Sequence, residues 1–213
     1  MQHNVKIIAL AGKAGYGKTT ISKMITEIDP KSSVTAFAAP LKDMVRAIFP
    51  QLTDYHLKDQ VGKAAPTDLL NGYSPRELMQ FFGTDFVRRF DPDLWVKRAK
   101  DKIELHRRPA TRGRPKLNYL VFDDCRFENE VNLIRQYDGC IIHLERTETE
   151  KSFTDKIKAK LGIGVDGHAS EAGVRNLFQP DFDYVINTSE PMNITYARVQ
   201  KMVSQGFSPN YQL

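Results

Sequence analysis

The sequence is poor in cysteine and lacks long apolar runs, and both shortages exclude classes of protein. Its two cysteines, Cys125 and Cys140, each lie in or beside a strand-like run. This usage suits reduced thiols of a cytoplasmic protein better than a disulfide framework or a zinc site. No run approaches the roughly eighteen apolar residues of a transmembrane helix, and Lys13 and Lys18 interrupt the first apolar stretch early. We therefore expect neither membrane insertion nor secretion.

Basic residues exceed acidic residues only slightly. The chain has 31 Lys and Arg against 26 Asp and Glu, a net charge of +5 that fits an enzyme of phosphorylated metabolites or a weak nucleic-acid binder. The densest basic patch, between Lys97 and Lys116, is either a solvated face or a polyanion-contacting surface. With 213 residues, 41% of them hydrophobic, and no internal repeat, we expect a single domain over residues 1–213.

The most specific feature is a phosphate-binding loop. The pattern GxxxxGK[ST] is matched at every fixed position by Gly12, Lys13, Ala14, Gly15, Tyr16, Gly17, Lys18 and Thr19. An apolar run precedes this loop and helical spacing follows it, which is the context that the motif requires. We expect its backbone NH groups, together with Thr20, to bind ATP phosphates, while Lys18 adds charge and the Thr19 hydroxyl serves as a Mg²⁺ ligand.

Alternating strand and helix patterns predict an α/β fold. Strand-like runs at 5–11, 34–38, 118–124, 139–145 and 183–187 are separated by helical pattern, which favours a mainly parallel five-stranded sheet in a three-layer α/β/α domain. Predicted helices cover 40–49, 128–138 and 193–205. Two more begin at a capping box from Ser74 to Glu77, with Pro75 first, and at Asp91, with Pro92 first.

Residues that follow the strands should converge at one edge of such a sheet. Asp123 and Asp124 end the third strand; we favour Asp124 as a Mg²⁺ ligand because it begins the next turn, with Asp123 as the alternate and helix capping as the other interpretation. Arg126 could bind a transferring phosphate or form a surface salt bridge.

The segment after the fourth strand begins with Arg146, which we expect to contribute to ATP binding. A lysine-rich helix at 149–161 and the glycines that follow predict either a helical lid, at about 146–171, or a solvated amphipathic surface. His168 is assigned no chemical role, because a lone histidine is more often a packing or capping residue than a catalyst.

Several segments together resemble one family, the deoxynucleoside monophosphate kinases of tailed bacteriophages within the P-loop nucleoside monophosphate kinases. The resemblance spans most of the chain, and it is carried by the phosphate loop and by the segments 37–42, 74–84, 91–95, 124–130 and 168–171. It implies transfer of the γ-phosphoryl group of ATP to a dNMP in nucleotide metabolism, with Mg²⁺ as cofactor and a cytoplasmic location, that of the host if the gene is a phage gene.

The resemblance also implies roles for individual residues. Lys18, Asp124 and Arg126 correspond to the catalytic group, and Arg76 to the arginine of the acceptor phosphate. The acceptor nucleotide would be bordered by Phe37 and Lys42, with Phe153, Asp166, Ser170 and Glu171 in the lid and base region. No membrane and no nucleic acid are required, and a homodimer is left open.

Three other functions remain open on the sequence. The acceptor could be another small molecule, such as dephospho-coenzyme A, phosphomevalonate or a sugar acid. The chain could instead be a nucleic-acid-associated NTPase that uses the basic patch, although no second motif of a motor or helicase is recognisable. A nucleotide-binding regulator without catalysis is the third.

Overall fold

The computed structural model describes residues 5–108, 116–147 and 182–207. These residues fall into two compact units, one within Met1–Thr35 and Ile103–Leu213 and the other within Ala36–Lys102. The strands, all in unit 1, are β1 (Lys6–Ala11), β2 (Ser32–Thr35), β3 (Tyr119–Cys125), β4 (Cys140–Glu145) and β5 (Tyr184–Asn187). Whether the units form one domain over residues 1–213 stays a prediction.

Nine helices of the described chain follow in order. They are α1 (Lys18–Ile28), α2 (Ala39–Ile48), α3 (Asp54–Lys58), α4 (Gln60–Ala64), α5 (Pro75–Gln80), α6 (Val87–Phe90), α7 (Leu94–Arg107), α8 (Glu128–Gln136) and α9 (Met192–Ser204). A 3₁₀ turn lies at Asp68–Leu70, and a π-helical segment, Phe81–Phe86, joins α5 to α6.

Unit 1 is built on a five-stranded parallel sheet with the strand order β2-β3-β1-β4-β5. The predicted α/β class and sheet are therefore confirmed. Every residue from Ile7 to Ala11 of the central strand is fully buried. Because successive side chains of a strand point to opposite faces, burial of all five means that both faces of the sheet are covered.

Helices α1 and α9 cover one of these faces. Their residues Ile21, Ile25 and Val199 form an apolar cluster with Ile8 and Leu10 of β1. Helix α8 contacts β1 and β4 as well. The phosphate loop thus leaves a strand whose last five residues are fully buried and enters a helix that is anchored on the same core, which fixes both ends of the loop.

Unit 2 is helical, and its core surrounds the single tryptophan. Trp95 is 6% exposed and packs with Leu41, Val45, Leu52, Leu57 and Leu70. Its indole Nε1 donates a hydrogen bond of 2.9 Å to the carbonyl of Gly83 in the π-helical segment. The backbone hydrogen bonds of a π-helical turn depart from the usual i to i−4 pattern. The indole donor that pairs with the Gly83 carbonyl therefore stabilises this turn.

The predicted capping box at α5 is confirmed. Ser74 Oγ accepts a bond from the Glu77 amide at 3.2 Å, and Glu77 Oε2 accepts one from the Ser74 amide at 2.8 Å. Hydrogen bonds that the Ser74 side chain and backbone donate to the Glu77 carboxylate lower the pKa of Glu77.

Two predicted boundaries are wrong by a few residues. The second strand was expected at 34–38 but is Ser32–Thr35, because Ala36 already accepts a turn hydrogen bond from Ala39 at 3.2 Å. The helix expected to open at Pro92 begins at Leu94. There Asp91 accepts the amide of Asp93 at 3.1 Å and so forms a turn before the helix starts.

Part of the predicted lid, 146–171, lies outside the described residues. This holds for the predicted helix at 149–161 and for Phe153, Asp166, Ser170 and Glu171, whereas Arg146 is described and exposed. Among the helices that the structure describes, none has the length and apolar character to cross a bilayer.

Candidate active site

The carboxyl ends of three neighbouring strands carry most of the predicted site. Ala11 at the end of β1 pairs with Cys125 of β3 on one side and with His143 of β4 on the other. Gly12 follows Ala11 directly, so the phosphate loop lies beside the residues that end β3. The sequence prediction that these groups share one edge of the sheet is confirmed for unit 1.

Close backbone packing fixes the start of the loop. Gly12 has a φ of 143°, and a Cβ at this position would lie 2.7 Å from the carbonyl oxygen of Leu144 in β4. Both the dihedral angle and the approach exclude a side chain, which explains why the pattern needs glycine here. The first glycine of the loop therefore serves strand packing and the turn.

Lys18 holds the loop from its other end. Its Nζ donates to the carbonyl of Gly12 at 2.5 Å and to the carbonyl of Lys13 at 2.8 Å. The ammonium group consequently lies at the mouth of the turn, beside the backbone that precedes α1. This is the position from which a lysine can contact phosphate oxygens.

The first turn of α1 has no side-chain cap. Its N-cap is Gly17, with a φ of 85° and no capping side chain, and the first turn contains no acidic residue. The backbone NH groups at a helix start and the positive end of the helix dipole favour an anion there. Together with Lys18, the helix start can bind a polyphosphate.

A β-bulge lies where β3 reaches the site. Ala9 pairs with Phe122 and Ala11 with Cys125, so that Asp123 and Asp124 stand opposite the single residue Leu10. Both aspartates are half-buried, whereas in a regular strand one of two successive side chains would be buried and the other exposed. Since bulges re-aim side chains, simple alternation cannot choose between Asp123 and Asp124, and Asp124 as the metal ligand stays a prediction.

The turn after β3 is tied to the helix that follows. Glu130 Oε2 accepts hydrogen bonds from the amides of Arg126, at 2.8 Å, and Phe127, at 3.2 Å. Cys125, just before the turn, is fully buried; this burial, with the charges of Glu130 and Asp124, raises the pKa of its thiol well above the ordinary value. Both cysteines are free, as predicted, and the burial of Cys125 disfavours the thiolate that a nucleophile requires.

The loop after β5 was not among the predicted site residues. The Thr188 methyl group would lie 3.7 Å from a Cβ at Gly17. Thr188 Oγ1 donates to the Glu145 carbonyl at 3.0 Å, and Ser189 Oγ accepts the Thr147 amide at 2.8 Å. This segment therefore joins the ends of β4 and β5 next to the phosphate loop. The strand-end rule, applied to the fifth strand too, would have found it.

His143 lies at the same edge of the sheet. Its ring stacks on Phe182, with centroids 4.2 Å apart. Burial first, and then the positive charge of Lys18, lower the pKa of His143, while Glu145 acts in the opposite direction. The lowered pKa favours the uncharged form of the imidazole.

Unit 2 carries three more of the predicted residues. Arg76 Nη2 donates to Gln60 Oε1 at 3.1 Å, which ties the arginine to α4. Lys42 on α2 is half-buried, and Phe37 is only 2% exposed. Their roles in binding an acceptor nucleotide stay predictions.

Comparison with known proteins gives one family and several relatives. Residues 50–176 match the family model described as deoxynucleotide monophosphate kinase. A protein of Acanthamoeba polyphaga mimivirus, provisionally named a deoxynucleotide monophosphate kinase, is 26% identical over 209 residues, which are 96% of this chain and 99% of that protein.

Solved structures of kinases are also similar. Shikimate kinase from Acinetobacter baumannii in complex with shikimate has 14% identity and a TM-score of 0.45, with 99% of this chain and 97% of that chain covered. A protein from Chloroflexus aurantiacus that is provisionally described as a kinase has 14% identity and a TM-score of 0.46, with 97% of this chain and 99% of that chain covered.

Proposed function

Since the chain belongs to the deoxynucleotide monophosphate kinase family, which makes it an ATP-dependent phosphotransferase, we propose that its phosphate loop holds ATP for transfer to a deoxynucleoside 5′-monophosphate. The observation that carries this assignment is the junction of β1 and α1. There an uncapped helix start and the Lys18 ammonium group converge on one turn. Such a turn supports binding of the β and γ phosphates.

The reaction needs position and electrostatics more than covalent chemistry. An oxygen of the acceptor phosphate attacks the γ phosphorus in line, the bond to the β–γ bridging oxygen breaks, and ADP and the deoxynucleoside diphosphate leave. Because two polyanions must meet, cations have to offset their repulsion. We assign this task to Lys18 and Arg126 of unit 1, with Arg146 at the end of β4, and to Arg76 of unit 2; one such arginine is worth about 10³ or more in rate in related systems.

The chain offers oxygen ligands for Mg²⁺. Within the residues that the structure describes, no three His, Cys, Asp or Glu side chains form a metal site of their own. That suits Mg²⁺, which commonly binds through one or two protein oxygens and substrate phosphates. Thr19, exposed in the first turn of α1, and Asp124, half-buried at the end of β3, would hold it. When bound, the ion would neutralise charge on the phosphates.

Acceptor binding is assigned to unit 2 and to the predicted lid. Arg76 would contact the acceptor phosphate, since a guanidinium presents paired donors that match phosphate oxygens. Lys42 would add charge nearby, and Phe37 would help to shape the site from the core. We place the reaction in the cytoplasm, because two free, buried thiols suit a reducing compartment.

A coupled ADP-release assay tests this function. Mg·ATP is offered with each common dNMP and NMP in turn, and with dephospho-coenzyme A, phosphomevalonate and a sugar acid as other acceptors. We expect acceptor-dependent ADP formation with at least one dNMP. DNA-stimulated hydrolysis, turnover only with another acceptor, or ATP binding without turnover would each contradict the proposal.

Two variants then test the assigned residues. Lys18→Ala and Arg126→Ala should each abolish turnover, because each removes positive charge from the transferring group, while circular dichroism should show an intact fold. Near-normal activity of either purified variant would remove that residue from the mechanism.

A further inference from the structure

Glu130 is a buried acid whose position the overall reaction does not explain. It is the third residue of α8, and only 2% of it is exposed. Burying a carboxylate is costly unless hydrogen bonds compensate, so acids are seldom found so deep without a specific partner. Here a single oxygen, Oε2, accepts two backbone amides, those of Arg126 and Phe127.

Those two amides belong to the turn that carries the proposed catalytic arginine. The residue at the N-cap of α8 is Phe127, whose side chain has no acceptor. The carboxylate of Glu130 therefore reaches back from inside the helix and takes the place of a Ser, Thr or Asp cap. A capping residue at position 127 would leave the Arg126 amide to other partners, whereas Glu130 binds the backbone of Arg126 itself.

The turn is short and held on both sides. Cys125 before it is fully buried and pairs with Ala11, the residue that precedes the phosphate loop. Glu130 after it is buried in α8. Only Arg126 and Phe127 bridge strand and capped helix before Glu128 begins the helix, so the main chain of Arg126 has a fixed place relative to the phosphate loop.

We propose that Glu130 is a positioning residue for phosphoryl transfer, because it fixes the backbone from which Arg126 extends toward the transferring phosphoryl group. This inference rests on the function and on the role of Arg126 proposed above. A long, flexible side chain is effective only when its base is held, and misplacement by about 1 Å can cost about 10²-fold in rate. Loss of Glu130 should therefore lower kcat, beyond any effect on stability.

Four variants and one control test the proposal in the full chain. Glu130→Ala removes the acceptor, and we expect kcat to fall about 10²-fold while KM for ATP changes less than about 3-fold. Glu130→Gln keeps one carbonyl oxygen, which can accept both amides as Oε2 does, and should recover at least about 10-fold of that loss. Arg126→Ala is the reference for complete loss. Glu128→Ala, in the same first turn but exposed, should keep the kcat of the unaltered chain.

Glu130→Asp covers the case in which the alanine variant does not fold. It keeps the charge but is shorter by one carbon–carbon bond of about 1.5 Å, so its oxygen cannot reach the same amides without movement. We expect a kcat at least about 10-fold lower than that of Glu130→Gln, with far-ultraviolet circular dichroism unchanged.

The outcomes separate this inference from the proposed function. If the unaltered chain phosphorylates no dNMP, the proposed function fails and this inference fails with it. If it is active and Arg126→Ala is inactive, but folded Glu130→Ala or Glu130→Asp retains the unaltered kcat, only the role of Glu130 is overturned. A parallel loss in Glu128→Ala would also overturn it, because helix charge and not the Arg126 backbone would then be responsible.

Discussion

Gly12→Ala should destabilise the protein more than Gly15→Ala, although both change a glycine of the same loop. Both positions have a positive φ, 143° at Gly12 and 81° at Gly15, so an alanine at either is strained. They differ in surroundings. A Cβ at Gly12 would lie 2.7 Å from the Leu144 carbonyl oxygen, whereas a Cβ at Gly15 would meet nothing within 4 Å.

The magnitudes follow from this difference. Backbone strain costs about 1–3 kcal/mol at each position. Alanine also lowers the conformational entropy of the unfolded chain, which stabilises each variant by about 0.4–1 kcal/mol. This contribution is the same in both variants and cancels in the comparison. Only Gly12→Ala must also separate the loop from β4, which is comparable to overpacking a core at about 1–3 kcal/mol. We therefore expect Gly12→Ala to be less stable than Gly15→Ala by about 1–3 kcal/mol.

Thermal unfolding without nucleotide measures the comparison directly, because ligand contacts then play no part. For a chain of this length a change of 1 kcal/mol shifts Tm by about 2–4 °C, so the two variants should differ by about 2–12 °C. Urea unfolding gives the same difference as a free energy. Equal midpoints, or a less stable Gly15→Ala, would refute the close packing of Gly12 on β4.

Three further substitutions test other parts of the structure. Trp95→Phe leaves the Gly83 carbonyl without the indole donor and should cost about 1–3 kcal/mol, measured by urea unfolding. Ser74→Ala removes the cap of α5 and should cost about 0.5–2 kcal/mol in the same assay. Burial and the bond to Glu104 raise the pKa of Tyr137 from 10.0 to about 12, so the unfolded chain loses this proton first and stability should fall between those pH values. Tyr137→Phe should lose that part of the pH dependence.

Each of these expectations has a clear contrary result. A Trp95→Phe variant as stable as the unaltered chain would mean that another donor satisfies Gly83. An unchanged free energy of unfolding in Ser74→Ala would show that the capping box contributes little. Identical alkaline unfolding profiles of Tyr137→Phe and the unaltered chain would show that this phenol does not titrate differently in the folded state.

The sheet and the phosphate loop could be predicted because their signals are local. Apolar runs ending in a loop or an acid mark parallel strands without knowledge of their neighbours, and GxxxxGK[ST] needs only spacing. The ends of these elements depend on tertiary structure instead. Thr35 ends β2 because the chain turns at once toward α2, and no residue in the run 34–38 forbids a longer strand.

Partners from distant parts of the chain account for what could not be predicted at the site. The β-bulge at Asp123 and Asp124 arises from the pairing of β3 with β1, which the sequence does not reveal. Regular strand alternation would place the two side chains on opposite faces of the sheet, but at a bulge this rule no longer decides which aspartate faces the site. In the same way, Thr188 lies next to Gly17 only because β5 is the outer neighbour of β4. Register and strand order, not composition, place these residues together at the carboxyl ends of the strands.

Glu130 shows how one burial value changes the meaning of a sequence pattern. In the sequence it is one of two acids in the first turn of a helix, where acids are common because they complement the helix dipole. Glu128 fits that description, since it is exposed. Glu130 does not, because its carboxylate is buried and binds the amides of Arg126 and Phe127. An acid kept only for the dipole would gain nothing from burial, whereas a buried carboxylate that accepts these two amides fits the proposed role of holding the turn at Arg126.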